Sequence, residues 1–186
     1  MKDEKEKYVA FLRGINVGGH HKVPMADLKK ELQKLKLENV ETLLNSGNII
    51  FESATKNISE LENNISEHLE KSFGFPIPTI IRKSEIIFEL LNKKPFKDVK
   101  LTKNIRFYVS FLSKTNKLEL ELPWKSPDNS YEIIKKNNKT ILSILDLSVS
   151  KTPKAMEALE KFYGKDITTR NWKTIERVEK KLKASG

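Results

Sequence analysis

A loop of ten residues carries the residue types that most suggest a ligand site. It holds three glycines and an asparagine between two basic residues, namely Arg13, Gly14, Asn16, Gly18, Gly19 and Lys22. Glycine allows positive φ and lets backbone N–H groups approach an anion closely. Connections usually take about four to six residues, and longer ones are commonly functional or disordered. The loop therefore predicts an anion site; the alternative is a structural turn in which Arg13 and Asn16 cap backbone groups.

Two histidines follow the glycines without completing a known motif. Gly14 and Gly19 have the spacing of a phosphate-binding P-loop, but His20 and His21 stand where that motif needs Lys and Ser or Thr. The side chains of adjacent residues point apart, and His68 lies in a distant predicted helix. Because a zinc site needs three or four ligands, we expect no metal and interpret the pair as solvated loop residues.

A second polar turn, 45–48, supplies Ser46 and Asn48 between two short apolar runs. In a βαββαβ unit the first two strands run parallel, so the glycine-rich loop and this turn lie at one edge of the sheet. Two polar loops at one edge make a plausible pocket rim. Taken alone, however, Ser-Gly-Asn is ordinary hairpin chemistry, because Gly and Asn tolerate the left-handed region.

Arg170 and Asn171 open the last predicted helix, directly after two threonines. Free N–H groups at a helix N-terminus, together with a guanidinium, can hold a carboxylate or a phosphate. We therefore add both residues to the candidate site. Trp172 is in phase with Ile175 and Val178, which favours a packing role for the indole.

Hydrophobic periodicity supplies the elements that position these residues. The first half predicts the order β-α-β-β-α-β, the ferredoxin-like arrangement, with Asn57 capping the second helix and Gly74 ending it. The second half predicts a less regular α+β lobe, in which 113–129 stays unassigned and Thr168-Thr169 caps the last helix. The predicted fold is thus α+β, with a ferredoxin-like lobe at 1–83 and a second basic lobe at 84–186. We expect the lobes to pack together, since no linker separates them.

The composition restricts the classes of function. The 186 residues contain no cysteine, which excludes disulfides, thiolate nucleophiles and zinc–thiolate sites. No apolar run approaches the roughly 18 residues of a membrane span, and the charged start 1–7 is unlike a signal peptide, so we expect a cytoplasmic protein. Of the net charge of +10, residues 84–186 carry +9, so electrostatics would steer an anionic partner to the second half. A lysine excess of 30 over 5 arginines is, however, also typical of an AT-rich genome.

Several strings resemble one known family. They are 8–19 (YVAFLRGINVGG) with 22–25 (KVPM), 46–48 (SGN), 75–78 (FPIP), 95–96 (PF) and 168–172 (TTRNW). Together they resemble the bacterial domain of unknown function family 1697 over nearly the whole chain. The resemblance implies an α+β protein with a ferredoxin-like N-terminal part, and it implies no activity. Positions 20 and 21 are more often Lys or Asn in the family, which weakens a catalytic role for the histidines.

The leading hypothesis is a module that binds a small anionic or nucleotide-like ligand between the glycine-rich loop, the hairpin and the Arg170 helix end. One alternative is RNA or single-strand binding across the first sheet, with bases stacked on strand aromatics. Another is a structural or protein-interaction role. We expect no cofactor. The residues assign no catalytic group, and they leave both enzymatic activity and oligomeric state open.

Overall fold

Each of two units is built around one antiparallel sheet. The computed structural model describes residues 4–185, so the first three residues of the charged N-terminal segment lie outside it. Among the described residues, the first unit runs to Glu89 and resumes at Val178, and the second is Leu90–Arg177. The first unit therefore extends beyond the predicted boundary at residue 83 and includes the end of the chain. The division falls within two helices, α3 (Ser84–Asn92) and α5 (Trp172–Ala184).

The first unit has the predicted order of elements. They are β1 (Glu6–Leu12), α1 (Met25–Gln33), β2 (Glu38–Leu43), β3 (Asn48–Ser53), α2 (Ile58–Phe73) and β4 (Thr79–Lys83). The strands lie in the sheet order β2-β3-β1-β4, and every neighbouring pair is antiparallel. Because β1 and β2 are both antiparallel to β3, they point the same way. The loop after β1 and the hairpin after β2 therefore share one sheet edge, as predicted.

Helices α1 and α2 pack on one face of this sheet through the predicted apolar stripes. The stripe on α2 consists of Leu61, Ile65 and Leu69, all buried in one core cluster with Tyr8 and Phe51 of the strands. The Asn57 side chain accepts a hydrogen bond of 3.2 Å from the Glu60 N–H at the start of α2, and Gly74 ends the helix at φ 82°. Both predicted helix signals are confirmed.

Side chains on both faces of the first sheet are buried. Tyr8 and Phe51 point toward the helices, while Val9 and Phe11 alternate to the opposite face. All four are 0% exposed. The strand aromatics therefore offer no ring face to solvent, and the alternative of base stacking across this sheet gains no support from them.

The second unit is also α+β. Its elements are β5 (Ile105–Leu112), β6 (Trp124–Lys125), β7 (Tyr131–Asn137), β8 (Thr140–Asp146), α4 (Thr152–Tyr163) and β9 (Ile167–Asn171). The sheet order is β6-β7-β8-β5-β9, again antiparallel throughout. Ala155 and Leu159 of α4 pack against Tyr108, Ile133 and Leu145 on one face of this sheet.

The start of the last helix differs from the prediction. Thr168 and Thr169 do not cap α5, because they belong to β9, which pairs with β5. The Ser110 and Thr169 hydroxyls lie 2.7 Å apart across that pairing. The cap is Asn171, whose Oδ1 accepts a hydrogen bond of 3.0 Å from the Lys173 N–H. β-branched threonines suit a strand as well as a cap, and the strand partner lies about sixty residues earlier in the chain.

Among residues 4–185, no helix is both long and apolar enough to cross a membrane.

Candidate functional site

The glycine-rich loop and the 45–48 hairpin meet at the edge of the first sheet. The Asn16 amide donates hydrogen bonds of 2.8 Å to the Asn45 carbonyl and 3.0 Å to the Val23 carbonyl. Its Oδ1 accepts a third bond of 2.8 Å from the Val23 N–H. Asn16 adopts φ 55°, in the left-handed region that asparagine tolerates. The predicted meeting is confirmed, and all three polar positions on the Asn16 amide are used to hold backbone together.

The hairpin is also fixed from within. Asn48 is 0% exposed, and its amide donates to the Leu43 carbonyl and to Ser46 Oγ, both at 2.9 Å. The Gly47 carbonyl accepts a bond of 2.8 Å from the Leu12 N–H. A Cβ added to Gly47, at φ 74°, would lie 2.8 Å from both Leu12 Cβ and Ile15 Cδ1. These residues join the loop to the hairpin through the core.

The remaining loop residues are more open. Gly14, Gly18, Gly19 and Lys22 are exposed, and the three glycines have positive φ. A Cβ on Gly14 or Gly19 would meet nothing within 4 Å, so these glycines serve the backbone conformation and not a close approach. Arg13 is partly buried, and its backbone N–H donates to the Pro78 carbonyl at 2.9 Å.

One of the two loop histidines has a structural contact. The His21 ring stacks on Phe75 with centroids 4.3 Å apart, and its Nδ1 lies 3.1 Å from the Gly14 carbonyl oxygen. His68 is on α2, where its Nε2 lies 3.0 Å from a carboxylate oxygen of Glu31. No three His, Asp or Glu side chains gather as metal ligands in the described part of the chain.

Arg170 and Asn171 belong to the second unit. Arg170 is buried within β9, and its Nη1 donates to Thr168 Oγ1 at 2.8 Å and to the Thr169 carbonyl at 3.0 Å. Burial lowers the pKa of Arg170 to about 10, which still leaves the guanidinium charged at neutral pH. Asn171 caps α5 and also lines a large groove that begins there.

We call this groove, of about 680 Å³, the basic groove; it lies wholly within the second unit. Its lining residues are Leu91, Lys94, Phe96, Lys97, Leu101, Thr102, Lys103, Ile105, Arg106, Phe107, Asn171, Trp172, Lys173 and Glu176. The volume lies within the roughly 300–1,000 Å³ typical of small-molecule sites.

Three aromatic rings meet in the basic groove. Phe96 and Phe107 stack with centroids 4.3 Å apart and planes 2° from parallel, and Trp172 meets Phe96 edge-on at 5.0 Å. The two phenylalanines are nearly buried, whereas Trp172 is only partly buried. The phenylalanines therefore form a floor, and the indole is the ring that reaches solvent.

Local structure explains how these rings come together. Pro95 cannot continue α3, and turns closed by Lys97 N–H to the Lys94 carbonyl (3.1 Å) and Val99 N–H to the Phe96 carbonyl (3.1 Å) direct the chain back. Phe107 lies on β5, and Trp172 directly follows β9, the strand that pairs with β5. The β5–β9 pairing thus brings the indole beside the floor.

Basic side chains surround these rings. Lys94, Lys97, Lys103 and Lys173 are exposed, and Glu176 is the single acidic residue among the lining residues. The Arg106 guanidinium uses Nη1 to donate to the carbonyls of Lys103 at 2.8 Å and Ile105 at 3.0 Å. These bonds hold the guanidinium plane beside the groove and leave its other N–H groups for a ligand.

The model of a family described as "Protein of unknown function (DUF1697)" matches residues 5–141, which is most of the chain. The chain belongs to the DUF1697 family. It is also similar to the solved structure of the conserved bacterial protein SP0830 from Streptococcus pneumoniae, with 26% sequence identity and a TM-score of 0.70. That similarity covers 95% of this chain and 98% of the other. No curated protein matches significantly.

Sequence reasoning missed most of the basic groove in this DUF1697 protein. Asn171 was among the predicted site residues, but the phenylalanines, lysines and Arg106 were not. A signal was present, because the segment 93–106 contains six basic residues and one acidic residue around Phe96. Basic residues interleaved with an aromatic are typical of sites for anionic ligands with rings.

A smaller cavity of about 240 Å³ lies elsewhere in the second unit of this DUF1697 protein, lined by Trp124, Tyr131 and Phe162 among others. At its edge the Asp128 carboxylate accepts hydrogen bonds from Ser126 Oγ (2.6 Å), Ser130 Oγ (2.7 Å) and the Ser130 N–H (3.1 Å). Lys154 Nζ adds an ion pair at 2.8 Å. Lys154 and these hydrogen bonds hold the pKa of Asp128 well below its usual range.

Proposed function

We propose that this DUF1697 protein binds a small anionic, nucleotide-like ligand, and that the basic groove is the site. One observation carries the proposal: a groove of about 680 Å³ combines an aromatic floor with five basic side chains and one acidic side chain. A nucleotide has the complementary chemistry, a flat ring joined to phosphate. We propose binding alone and assign no catalysed reaction.

The ring-binding part of the groove is Trp172 with the floor behind it. The stacked Phe96–Phe107 pair fixes the position of the indole through the edge contact of 5.0 Å. A partly exposed indole that is already held in place loses little side-chain entropy when a ring stacks on it. Stacking of a base on an aromatic side chain contributes roughly 1–3 kcal/mol.

The phosphate-binding part is supplied by Lys97, Lys103, Lys173 and the remaining N–H groups of Arg106. Lysines act as mobile point charges, while the anchored guanidinium can present two parallel donors to phosphate oxygens. Glu176 opposes these charges only in part. The lining residues together therefore favour an anion.

The basic groove supports this ligand class better than the glycine-rich loop edge does. At the loop edge the amides of Asn16 and Asn48 hold backbone and hydroxyl groups of the protein itself. A ligand there would have to compete with those bonds. Binding at Arg13, Gly14, Gly18, Gly19, Lys22 and Ser46 stays a prediction that ligand titration of loop variants can test.

Tryptophan fluorescence provides a direct test, because the chain has only two tryptophans. In a Trp124→Phe variant, Trp172 is the sole indole reporter. We expect ADP, GDP and UMP to quench its emission and to raise the thermal midpoint. Substitution Trp172→Leu should weaken binding about 5- to 100-fold, measured by calorimetry, because the stacking partner is lost.

The matched control is Trp124→Leu, which removes an indole from the smaller cavity in the same unit. It should leave nucleotide affinity within about twofold. The proposal fails if none of these nucleotides, nor inorganic pyrophosphate, shifts either the emission or the midpoint. It fails equally if the Trp124 and Trp172 variants lose the same affinity.

A further inference from the structure

Positive charge on the segment 93–106 extends beyond the lining residues of the basic groove. The segment 93–106 has six basic residues and one acidic residue, Asp98. Lys100 is exposed on this segment, although it is not a lining residue of the groove. Lys100 therefore adds positive charge on this segment beyond the residues that line the groove.

We infer that the occupant is a single-stranded nucleic acid, one base of which stacks at Trp172 while neighbouring phosphates follow the 93–106 segment. This inference rests on the proposed function and specifies its ligand. A polyanion explains both observations, since it carries a ring for the aromatic floor and further phosphates that can reach Lys100.

A single strand fits better than a duplex because the aromatic floor needs an unpaired base face. In a duplex each base is stacked on its neighbours, so no base face is available to the aromatic floor. The partly exposed indole would then have no base to stack on. Leu101 supports the same conclusion, since 57% of this apolar residue is exposed on the groove wall, where it can contact a sugar or base.

The types of basic residue indicate recognition without sequence preference. Four of the five basic lining residues are lysines, which bind phosphate as point charges, and phosphate contacts carry no sequence information. Phosphate neutralisation by several lysines also makes binding strongly dependent on salt. We therefore expect similar affinity for DNA and RNA single strands of mixed or uniform sequence.

Fluorescence anisotropy with fluorescein-labelled dT and rU 12-mers tests the inference on the full chain. For about four neutralised phosphates, Kd should rise about 50-fold between 50 and 200 mM salt. The triple variant Lys97→Ala, Lys103→Ala, Lys173→Ala should bind at least about 10-fold more weakly at 50 mM salt and with a reduced salt slope. Trp172→Leu should weaken binding about 5- to 100-fold without changing that slope.

The charge-matched control is Lys114→Ala, Lys117→Ala, Lys165→Ala, three exposed lysines of the same unit outside the groove. It should retain affinity within about twofold to threefold. Equal loss in the two triple variants would overturn the inference. So would a 12-bp duplex or polyglutamate of equal charge that competes as well as unlabelled dT, since either result would mean recognition of charge alone.

The outcome separates this inference from the function on which it rests. If nucleotides quench Trp172 but 12-mers bind no more tightly than UMP, the ligand is a free nucleotide and the single-strand inference is wrong. If 12-mers bind tightly and depend on Trp172, the inference stands. If neither nucleotides nor 12-mers bind, both proposals fall.

Discussion

The glycine-rich loop edge of the first unit and the basic groove of the second differ in where their polar groups are used. At the loop edge, the side-chain amides of Asn16 and Asn48 hydrogen-bond to the protein's own carbonyls and N–H groups. At the groove, exposed lysines and the outer N–H groups of Arg106 surround an aromatic floor. The more distinctive sequence thus lies at the loop edge, where the polar side chains already hydrogen-bond to the protein's own backbone.

This difference shows what a distinctive string encodes. A loop with five left-handed residues, packed against the hairpin through a buried contact at Gly47, tolerates few residue types, whatever its ligand. A groove built on exposed lysines tolerates many, because a point charge can reach the same phosphate from several positions. Residue types that look like a binding motif can therefore be required by the backbone conformation alone. They indicate a ligand site only where their polar groups are not already hydrogen-bonded to the protein itself.

The largest expected effect is on folding, at Gly47. Substitution Gly47→Ala places a Cβ 2.8 Å from Leu12 Cβ and Ile15 Cδ1 at φ 74°. The left-handed conformation and the overpacking together should lower the free energy of unfolding by about 3 kcal/mol, measured by urea denaturation. Gly19→Ala, at φ 78° with nothing within 4 Å, is the control and should cost about 1 kcal/mol. Equal losses would mean that the loop and the hairpin are not packed as described.

The next largest effect is expected at Asn16 and concerns stability without nucleotide affinity. Asn16→Ala removes three hydrogen bonds that join the loop to 23 and 45, so unfolding free energy should fall by about 2 kcal/mol. Asn45→Ala is the control, because Asn45 contributes its backbone carbonyl to this contact. Nucleotide affinity should be unchanged in both variants well below the unfolding midpoint. Lost affinity with unchanged stability would move the ligand site back to the loop edge.

Most of the first unit follows from local sequence patterns. The stripes of α1 and α2, the Asn57 cap and the Gly74 end are each encoded within one or two helical turns. The shared edge of loop and hairpin follows from strand directions alone, without any distance. The predicted α+β class and βαββαβ order are confirmed for this reason.

The basic groove could not be predicted in the same way. Phe96, Phe107 and Trp172 come from three separate parts of the chain, and the β5–β9 pairing that joins two of them is long-range. The sequence patterns at 167–171 predicted a helix cap and not a strand, so this pairing was missed. The charge asymmetry indicated the half of the chain that contains the basic groove but not which lysines surround a ring.

A smaller effect is expected in the second unit at Asp128, a side chain that hydrogen-bonds to neighbouring groups of the protein. Asp128 organises the turn 126–130 much as Asn16 organises its loop. Its pKa is lower in the folded state than the ordinary value of about 3.8. The carboxylate therefore stabilises the fold fully above that value; the contribution declines as the pH falls below it and is lost once the pH passes through the lower folded-state pKa.

The measurement is the urea midpoint of Asp128→Asn and of the unsubstituted protein at pH 7, 5 and 3. The variant should be less stable at pH 7 and 5, and the gap should close toward pH 3. Asp166→Asn, an exposed aspartate of the same unit, should show little gap at any of these values. A gap for Asp128→Asn that persists unchanged at pH 3 would mean that the carboxylate charge is not what stabilises the turn.

The smallest expected effect concerns Glu176. It distinguishes most directly between the basic groove and the loop edge as the ligand site. Glu176 is the single acidic residue among the lining residues of the basic groove, and it is exposed. Glu176→Gln removes its repulsion of an anion, so affinity for UMP or a dT 12-mer should rise about two- to fivefold, with stability unchanged. Glu157→Gln on α4, which gives the same net charge, should raise affinity much less. A gain in affinity cannot arise from partial unfolding, which distinguishes this variant from every loss-of-binding substitution. If Glu157→Gln and Glu176→Gln strengthen binding equally, the anion responds to the overall charge of the protein. That result would not favour the basic groove over the loop edge as the binding site.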